Sequence, residues 1–204
     1  MDQVLEELEY EINILTNSGF YSKDEIKEII EEQFIDENLK KYKLLDLINN
    51  SLVEYKESVK GKDSNYFNNL NNAFKQLTEK RIVCIHNAGF DFEEGVEDAM
   101  EIYIHLVNNN HNPRGFVFYS FIDIEESLNE NLLYLSFGDY NKDENLALKI
   151  GEEIQEVLLE NNLNVEWNHT INEEIIIKPF IWDKEYNNGI YEMEGAVKSY
   201  IEIN

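Results

Sequence analysis

Short apolar segments and amphipathic helical segments alternate through the second half of the chain, and this alternation limits the fold more than any other feature of the sequence. Apolar runs that begin near residues 81, 116, 132, 163 and 173 have the length and the β-branched and aromatic content of strands. Helical periodicity separates the first run from the second and the third from the fourth. This order predicts an α+β fold, a ferredoxin-like split βαβ sandwich with an extra C-terminal strand.

Both long helices predicted in this half carry one wide apolar stripe. The stripe of the first contains Val96, Ala99, Met100, Tyr103, Leu106 and Val107, and that of the second contains Leu146, Ile150, Ile154, Val157 and Leu158. Because the helices of a ferredoxin-like sandwich cover one face of its sheet, we expect both stripes to lie against the same face. Alternation along the strands then puts Tyr119 and Tyr134 on the opposite face, which the N-terminal helices or a partner would cover.

The first part of the chain has the signals of several helices. Gly19 stands at a helix end, Ser22 and Glu25 have the spacing of a capping box, and Asp36 is a candidate cap for a third helix. The polar stretch at 59–65 has no apolar periodicity and is the expected linker. We therefore divide the chain into an N-terminal helical region (1–60), an α/β sandwich domain (63–186) and a C-terminal tail (187–204).

The charge balance restricts the partners of this protein. Acidic residues number 42 and basic residues 17, which gives a formal net charge of -25 at pH 7. Nucleic acids and anionic membranes are bound through Lys and Arg clusters, so the composition argues against both. A basic protein partner is the class of molecule that such a charge would attract.

Cysteine content and the start of the sequence bear on location. The single Cys84 has no second cysteine in the chain to pair with, which fits a reducing compartment. The acidic start of the sequence lacks the pattern of a signal peptide, and no apolar run reaches the length of a membrane span. We expect a cytoplasmic protein, and the sequence leaves its oligomeric state open.

Cys84 and His86 form the pair that most resembles a catalytic site, because residues two apart in a strand point to the same face. A histidine beside a thiol can activate it as a nucleophile. The surrounding run is apolar, however, and free cysteine is among the most buried residue types, so we interpret Cys84 as a core residue. The His and Asp/Glu residues lack the spacing of metal ligands, and the sequence predicts no metal site, catalytic residue or cofactor.

The stretch after the first strand has the composition of a helix start. Asp91 is the expected N-cap and Glu94 the third residue of a capping box. Phe90 and Phe92 then act either as a hydrophobic staple, which we favour, or as the lining of a pocket.

Several segments together resemble an uncharacterised bacterial family, a domain of unknown function. They are the helix "DSNYFNNLNNAFKQL", the strand and helix start "IVCIHNAGFDFEEGVEDA", the strands "RGFVFYSFID" and "LLYLSFG", and the later "LNVEWN" and "IIIKPFIW", within residues 63–183. The family strand that ends in His-x-Gln-Asp reads Ser120-Phe121-Ile122-Asp123 here, so that only the aspartate is kept. The resemblance implies a fold and carries no assigned activity.

Two functions are compatible with this sequence. The first is a non-catalytic protein-interaction module, immunity- or inhibitor-like, that binds a basic partner. The alternative is a small hydrolase or ligand-binding enzyme with a site near Asp123 and the Gly138–Asn145 loop. The candidate ligand-binding residues are His86, Asp123, Tyr134 and Asp139.

Overall fold

The computed structural model of the protein describes residues 2–35, 37–59 and 65–204. Asp36, the expected cap of the third helix, and most of the expected linker at 59–65 lie outside these residues. The chain divides into two compact units. One comprises Met1–Ser64 and Asp183–Gly189, and the other comprises Asn65–Trp182 and Ile190–Asn204.

The first unit is helical. Its elements are α1 (Gln3–Ser18), α2 (Lys23–Gln33), a short 3-10 helix (Leu39–Tyr42) and α3 (Leu44–Val59). Gly19 ends α1 in the left-handed conformation at φ 69°, as the sequence predicts. The predicted capping box of Ser22 and Glu25 begins α2, with both reciprocal hydrogen bonds present.

The segment Asp183–Gly189 is fixed to this helical unit by Lys184, whose side chain is 2 % exposed. Its ammonium group donates to the carbonyl oxygen of Gly19 at the end of α1 and lies 4.3 Å from the ring centroid of Phe20. Its own carbonyl accepts a hydrogen bond from the Tyr55 hydroxyl on α3. Burial lowers the pKa of Lys184 to about 7, because the charged form loses hydration.

The second unit combines a mixed sheet with helices, so the α+β class is confirmed. In chain order its elements are α4 (Tyr66–Glu79), β1 (Ile82–Ile85), α5 (Phe92–Asn108), β2 (Gly115–Phe118), α6 (Phe121–Glu130), β3 (Leu133–Asp139), α7 (Glu144–Glu160), β4 (Val165–Glu166), β5 (Ile175–Ile177) and α8 (Glu192–Ile203). The strands lie in the order β1-β2-β3-β5-β4, with β1 and β2 parallel and the other neighbours antiparallel.

The ferredoxin-like arrangement expected from the sequence is wrong in its strand order. A split βαβ unit places another strand between its two parallel strands, whereas β1 and β2 are hydrogen-bonded neighbours here. The physical reason is visible in both strands, in which every residue is buried. Parallel strands that are covered on both faces have continuous apolar sequences of this kind.

The two long helices also lie on opposite faces of the sheet rather than on one. On the first face, α5 and α8 form a core with Val83, Ile85, Phe116 and Phe118. On the second face, α7 lies so close to β2 that a Cβ atom at Gly115 would overlap Ile150. Helix α4 lies on this second face as well, where Phe74 packs near His86. The unit therefore has three layers, helix, sheet and helix.

Candidate functional site

His86 follows β1 and lies among aromatic side chains, with 9 % of the residue exposed. Its Nδ1 atom is 2.8 Å from the Tyr119 hydroxyl oxygen. The centroids of its ring and those of Phe74, Phe67 and Tyr191 are 4.6, 5.2 and 5.8 Å apart. The imidazole is thus held in place by a hydrogen bond to a phenol and by ring packing.

Cys84 is a buried core residue, as we interpreted it from the sequence. Its sulfur is 3.5 Å from the carbonyl oxygen of Ile82. Desolvation raises the pKa of the thiol, so the protonated form is favoured. The imidazole of His86 is hydrogen-bonded to Tyr119. A cysteine nucleophile is activated by a lowered thiol pKa, whereas the environment of Cys84 raises it.

Asp123 stands in the first turn of α6, in a capping box with Ser120. Its carboxylate accepts hydrogen bonds from the Ser120 amide at 2.7 Å and from the Ser120 hydroxyl at 2.8 Å. Burial raises the pKa of Asp123 to about 6, although the two hydrogen bonds from Ser120 oppose that rise. The spacing Ser-x-x-Asp is the signal in the sequence that corresponds to this cap.

His86, Tyr119 and Asp123 belong to one electrostatic neighbourhood at the carboxyl ends of the parallel strands. Burial raises the pKa of Tyr119, and the charges of Tyr191 and Asp123 raise it further. The structure thus brings two of the four expected ligand-binding residues, His86 and Asp123, to the same end of the sheet. The phenol of Tyr119 is hydrogen-bonded to His86 and is influenced by the charge of Asp123, a role that the sequence did not predict for it.

Tyr134 lies on the other face of the sheet from Tyr119, contrary to the expectation from strand alternation. Tyr119 packs against Phe74 of α4. Tyr134 is half-buried and shares its strand face with Ser136, which is paired with Phe118 of the α5 core. The two tyrosines therefore do not form a common aromatic surface.

Asp139 lies at the opposite end of the sheet from His86 and Asp123. It is paired with Gly115 at the start of β2, three residues and about 10 Å of strand before Phe118. Its carboxylate accepts the amide hydrogens of Asn141 and Asp143 at 2.6 and 2.9 Å, which shapes the turn into α7. The structure does not bring Asp139 together with the other candidate residues.

No group of three or more His, Cys, Asp or Glu side chains is arranged to hold a metal ion within residues 2–35, 37–59 and 65–204. In the same described ranges, none of the helices has the length and apolar character needed to cross a membrane.

The start of α5 differs in one detail from the expected capping box. Asp91 is the N-cap and accepts the amide hydrogens of Glu93 and Glu94. The Glu94 carboxylate accepts the amide hydrogen of Phe90, one residue before the cap. Phe90 stacks on Phe121 at a centroid distance of 6.0 Å, yet it is 52 % exposed.

Helix α5 presents an apolar row that its own unit leaves partly uncovered. Phe92, Met100, Ile104 and Val107 are 59, 38, 56 and 42 % exposed. With half-buried Val96, positions 92, 96, 100 and 104 form an i, i+4 row that extends about 18 Å along the helix and winds gradually around it. The sequence also assigned Met100 and Val107 to the buried stripe, and the structure corrects this. Ala99 and Leu106 of that stripe are buried as predicted, and Ile102 is buried beside them.

A row of carboxylates runs beside the apolar row. Glu93, Glu97 and Glu101 follow the same i, i+4 spacing one residue further along α5, and all three are exposed. None of them makes an ion pair within the part of the chain that the structure describes. We call these two rows together the α5 surface. Its apolar row is Phe92, Val96, Met100, Ile104 and Val107, and its acidic row is Glu93, Glu97 and Glu101.

The second unit defines the class of protein, an α+β fold with helices on both faces of a mixed sheet. Residues 1–186 match the family described as Domain of unknown function (DUF6891), and the chain belongs to that family. The resemblance to an uncharacterised family is therefore confirmed, and the match extends over the N-terminal helices as well. No curated protein and no solved structure matches this chain.

Proposed function

We propose that the protein is a non-catalytic interaction module that binds a basic protein partner through the α5 surface, in the manner of an immunity protein or an inhibitor. The observation that carries the proposal is the apolar row of α5 lying beside three unpaired carboxylates. Clustered exposed apolar side chains with a polar rim are typical of protein-binding surfaces.

The two rows have different physical roles in such binding. Burial of the apolar side chains favours association, because it removes apolar surface from water. The carboxylates of Glu93, Glu97 and Glu101, together with the net charge of -25, attract a cationic partner and orient it. A partner segment with apolar residues and Lys or Arg at i, i+4 spacing matches both rows.

Synthetic helical peptides test this proposal with a defined probe. One peptide carries a leucine row beside a lysine row, and its counterpart carries glutamate in place of lysine. In an NMR titration of the ¹⁵N-labelled full chain, we expect the cationic peptide to shift the amides of α5 and the anionic peptide to leave them unchanged. Added salt should weaken the binding, because the charges on α5 are exposed.

Matched variants distinguish specific binding at the α5 surface from nonspecific attraction of the cationic peptide to an acidic protein. We expect the double substitution Met100→Gln and Ile104→Gln to weaken cationic-peptide binding by about tenfold or more. Leu159→Gln on α7 is the control, since Leu159 is 51 % exposed and lies outside the α5 surface. Equal effects of both changes, or peptide-induced shifts spread over all acidic helices, would contradict the proposal.

A second candidate function, ligand binding or hydrolysis, is favoured by the group of His86, Tyr119 and Asp123. A carboxyl group whose pKa is about 6 can exchange a proton near neutral pH, and the carboxyl ends of parallel strands are a frequent position of ligand sites. If this candidate is right, Asp123→Asn should abolish turnover in a panel of ester and phosphoester substrates. Absence of turnover by the wild-type chain on the whole panel would count against it.

A further inference from the structure

The helical unit contains a cleft of about 270 Å³ formed by α2, the 3-10 helix and the start of α3. Leu39, Leu44 and Leu45 supply its apolar lining, and Leu45 is 47 % exposed. The structure buries Leu44 and leaves Leu45 in the open cleft, which gives the cleft an accessible apolar side.

Three lysines line the same cleft, in a chain that has 42 acidic and only 17 basic residues. Lys27 is paired with Glu31 at 2.8 Å. Lys40 and Lys43 are exposed, and the ammonium group of neither makes a hydrogen bond or an ion pair with the residues that the structure describes. Asp46 is the remaining acidic residue of the lining. Two ammonium groups are thus available to an anion at the edge of an apolar surface.

We propose that this cleft binds a small amphiphilic anion, a fatty carboxylate of medium chain length. The carboxylate lies between the ammonium groups of Lys40 and Lys43, and the acyl chain lies on the accessible surface of Leu39 and Leu45. An inorganic anion would leave the leucine surface exposed to water, and a neutral apolar molecule would leave both lysines without a counter-charge. Only a molecule with both parts satisfies both halves of the cleft.

The cleft and the α5 surface belong to different units of the chain, so this inference does not depend on the proposed interaction with a basic partner. The two also call for ligands of opposite charge. Binding at one site therefore gives no account of binding at the other, and each can fail separately.

Decanoate is the probe for the test. Inorganic phosphate, which has only the negative charge, and decanol, which has the apolar chain without the charge, are the two comparison ligands. In an NMR titration of the ¹⁵N-labelled full chain, we expect saturable shifts of the amides of residues 39–46 with decanoate. Phosphate alone and decanol alone should bind at least about tenfold more weakly, because each meets only one half of the cleft. If phosphate or decanol bound as tightly as decanoate, or if the shifts were centred elsewhere in the chain, the proposal would be overturned.

The paired substitutions Lys40→Gln and Lys43→Gln should weaken decanoate binding by about tenfold. The control is Lys149→Gln with Lys198→Gln, which changes the net charge equally at two exposed lysines outside the cleft. Binding by the control pair should stay within about twofold of the wild-type value. If the two pairs weaken binding equally, the lysines of the cleft do not hold the carboxylate and the proposal is wrong.

Discussion

The Nδ1 atom of His86 lies 2.8 Å from the hydroxyl oxygen of Tyr119, and both residues are buried. His86 follows β1 and Tyr119 follows β2, so this one side-chain hydrogen bond joins the carboxyl ends of the two parallel strands. The amide hydrogen of Ala88 also bonds to the Tyr119 carbonyl at 2.9 Å. The chain beyond both strands is thereby held in register just before α5 and α6 begin.

Tyr119→Phe should lower the free energy of unfolding by about 1–3 kcal/mol. The change removes the hydroxyl while keeping the ring, so it leaves a buried imidazole nitrogen without this bond. Urea denaturation at pH 7 measures the effect. Tyr134→Phe is the control, because Tyr134 is half-buried and makes no comparable bond to any residue that the structure describes. Its change should stay within about 0.5 kcal/mol. Equal losses in the two variants would contradict a specific role of the His86–Tyr119 bond.

Ser120→Ala should have two effects, one on stability and one on Asp123. Loss of the cap of α6 costs about 1 kcal/mol of unfolding free energy. The same change should raise the pKa of Asp123 above about 6, because it removes the hydroxyl hydrogen bond from Ser120 that favours the charged carboxylate, while the amide bond remains. Carboxyl-carbon NMR titration reads the pKa directly. Ser22→Ala, which removes the cap of α2, should lower stability similarly and leave the titration of Asp123 unchanged.

Stability should fall as pH rises from about 4 to about 6, through the titration of Asp123. Its pKa is about 6 in the folded chain and near 3.8 in the unfolded chain, so the folded state binds more protons in this window. Removing protons then favours unfolding, by at most about 3 kcal/mol from this group. Asp123→Asn should flatten that part of the stability profile, measured by urea denaturation at steps of pH. An unchanged slope in the variant would show that Asp123 is not the group responsible.

Lys184 should have the opposite effect on stability at higher pH. Its pKa is about 7 in the folded chain and near 10.5 in the unfolded chain, so the unfolded state binds more protons between these values. Stability should therefore rise from pH 7 to about pH 9.5, by up to about 3 kcal/mol from this group. We expect Lys184→Met to reduce the slope, because methionine fills the buried site without a titratable group.

Lys178→Met provides the control for that experiment, since Lys178 is exposed. Its stability profile should have the slope of the wild-type chain. If Lys184→Met keeps the wild-type slope as well, the buried ammonium group does not determine the pH dependence, and the hydrogen bond of Lys184 to Gly19 then holds a lysine that titrates normally.

Local signals in the sequence were sufficient for much of the secondary structure. Gly19 predicted the end of α1, Ser22 and Glu25 predicted the start of α2, and Asp91 predicted the start of α5. These predictions hold because a cap or a left-handed residue satisfies backbone groups within one turn of the chain. The apolar runs likewise predicted the strands, and the motifs they form predicted the family.

Tertiary structure alone decided the strand order and the residues that meet at each end of the sheet. Periodicity gives the direction of a side chain relative to its own element, but not the element that covers it. For this reason Met100 and Val107 could not be told from the core residues of α5, and Asp139 could not be separated from His86 and Asp123. The pairing of His86 with Tyr119 joins residues 33 positions apart, and only the parallel alignment of β1 with β2 brings them into contact.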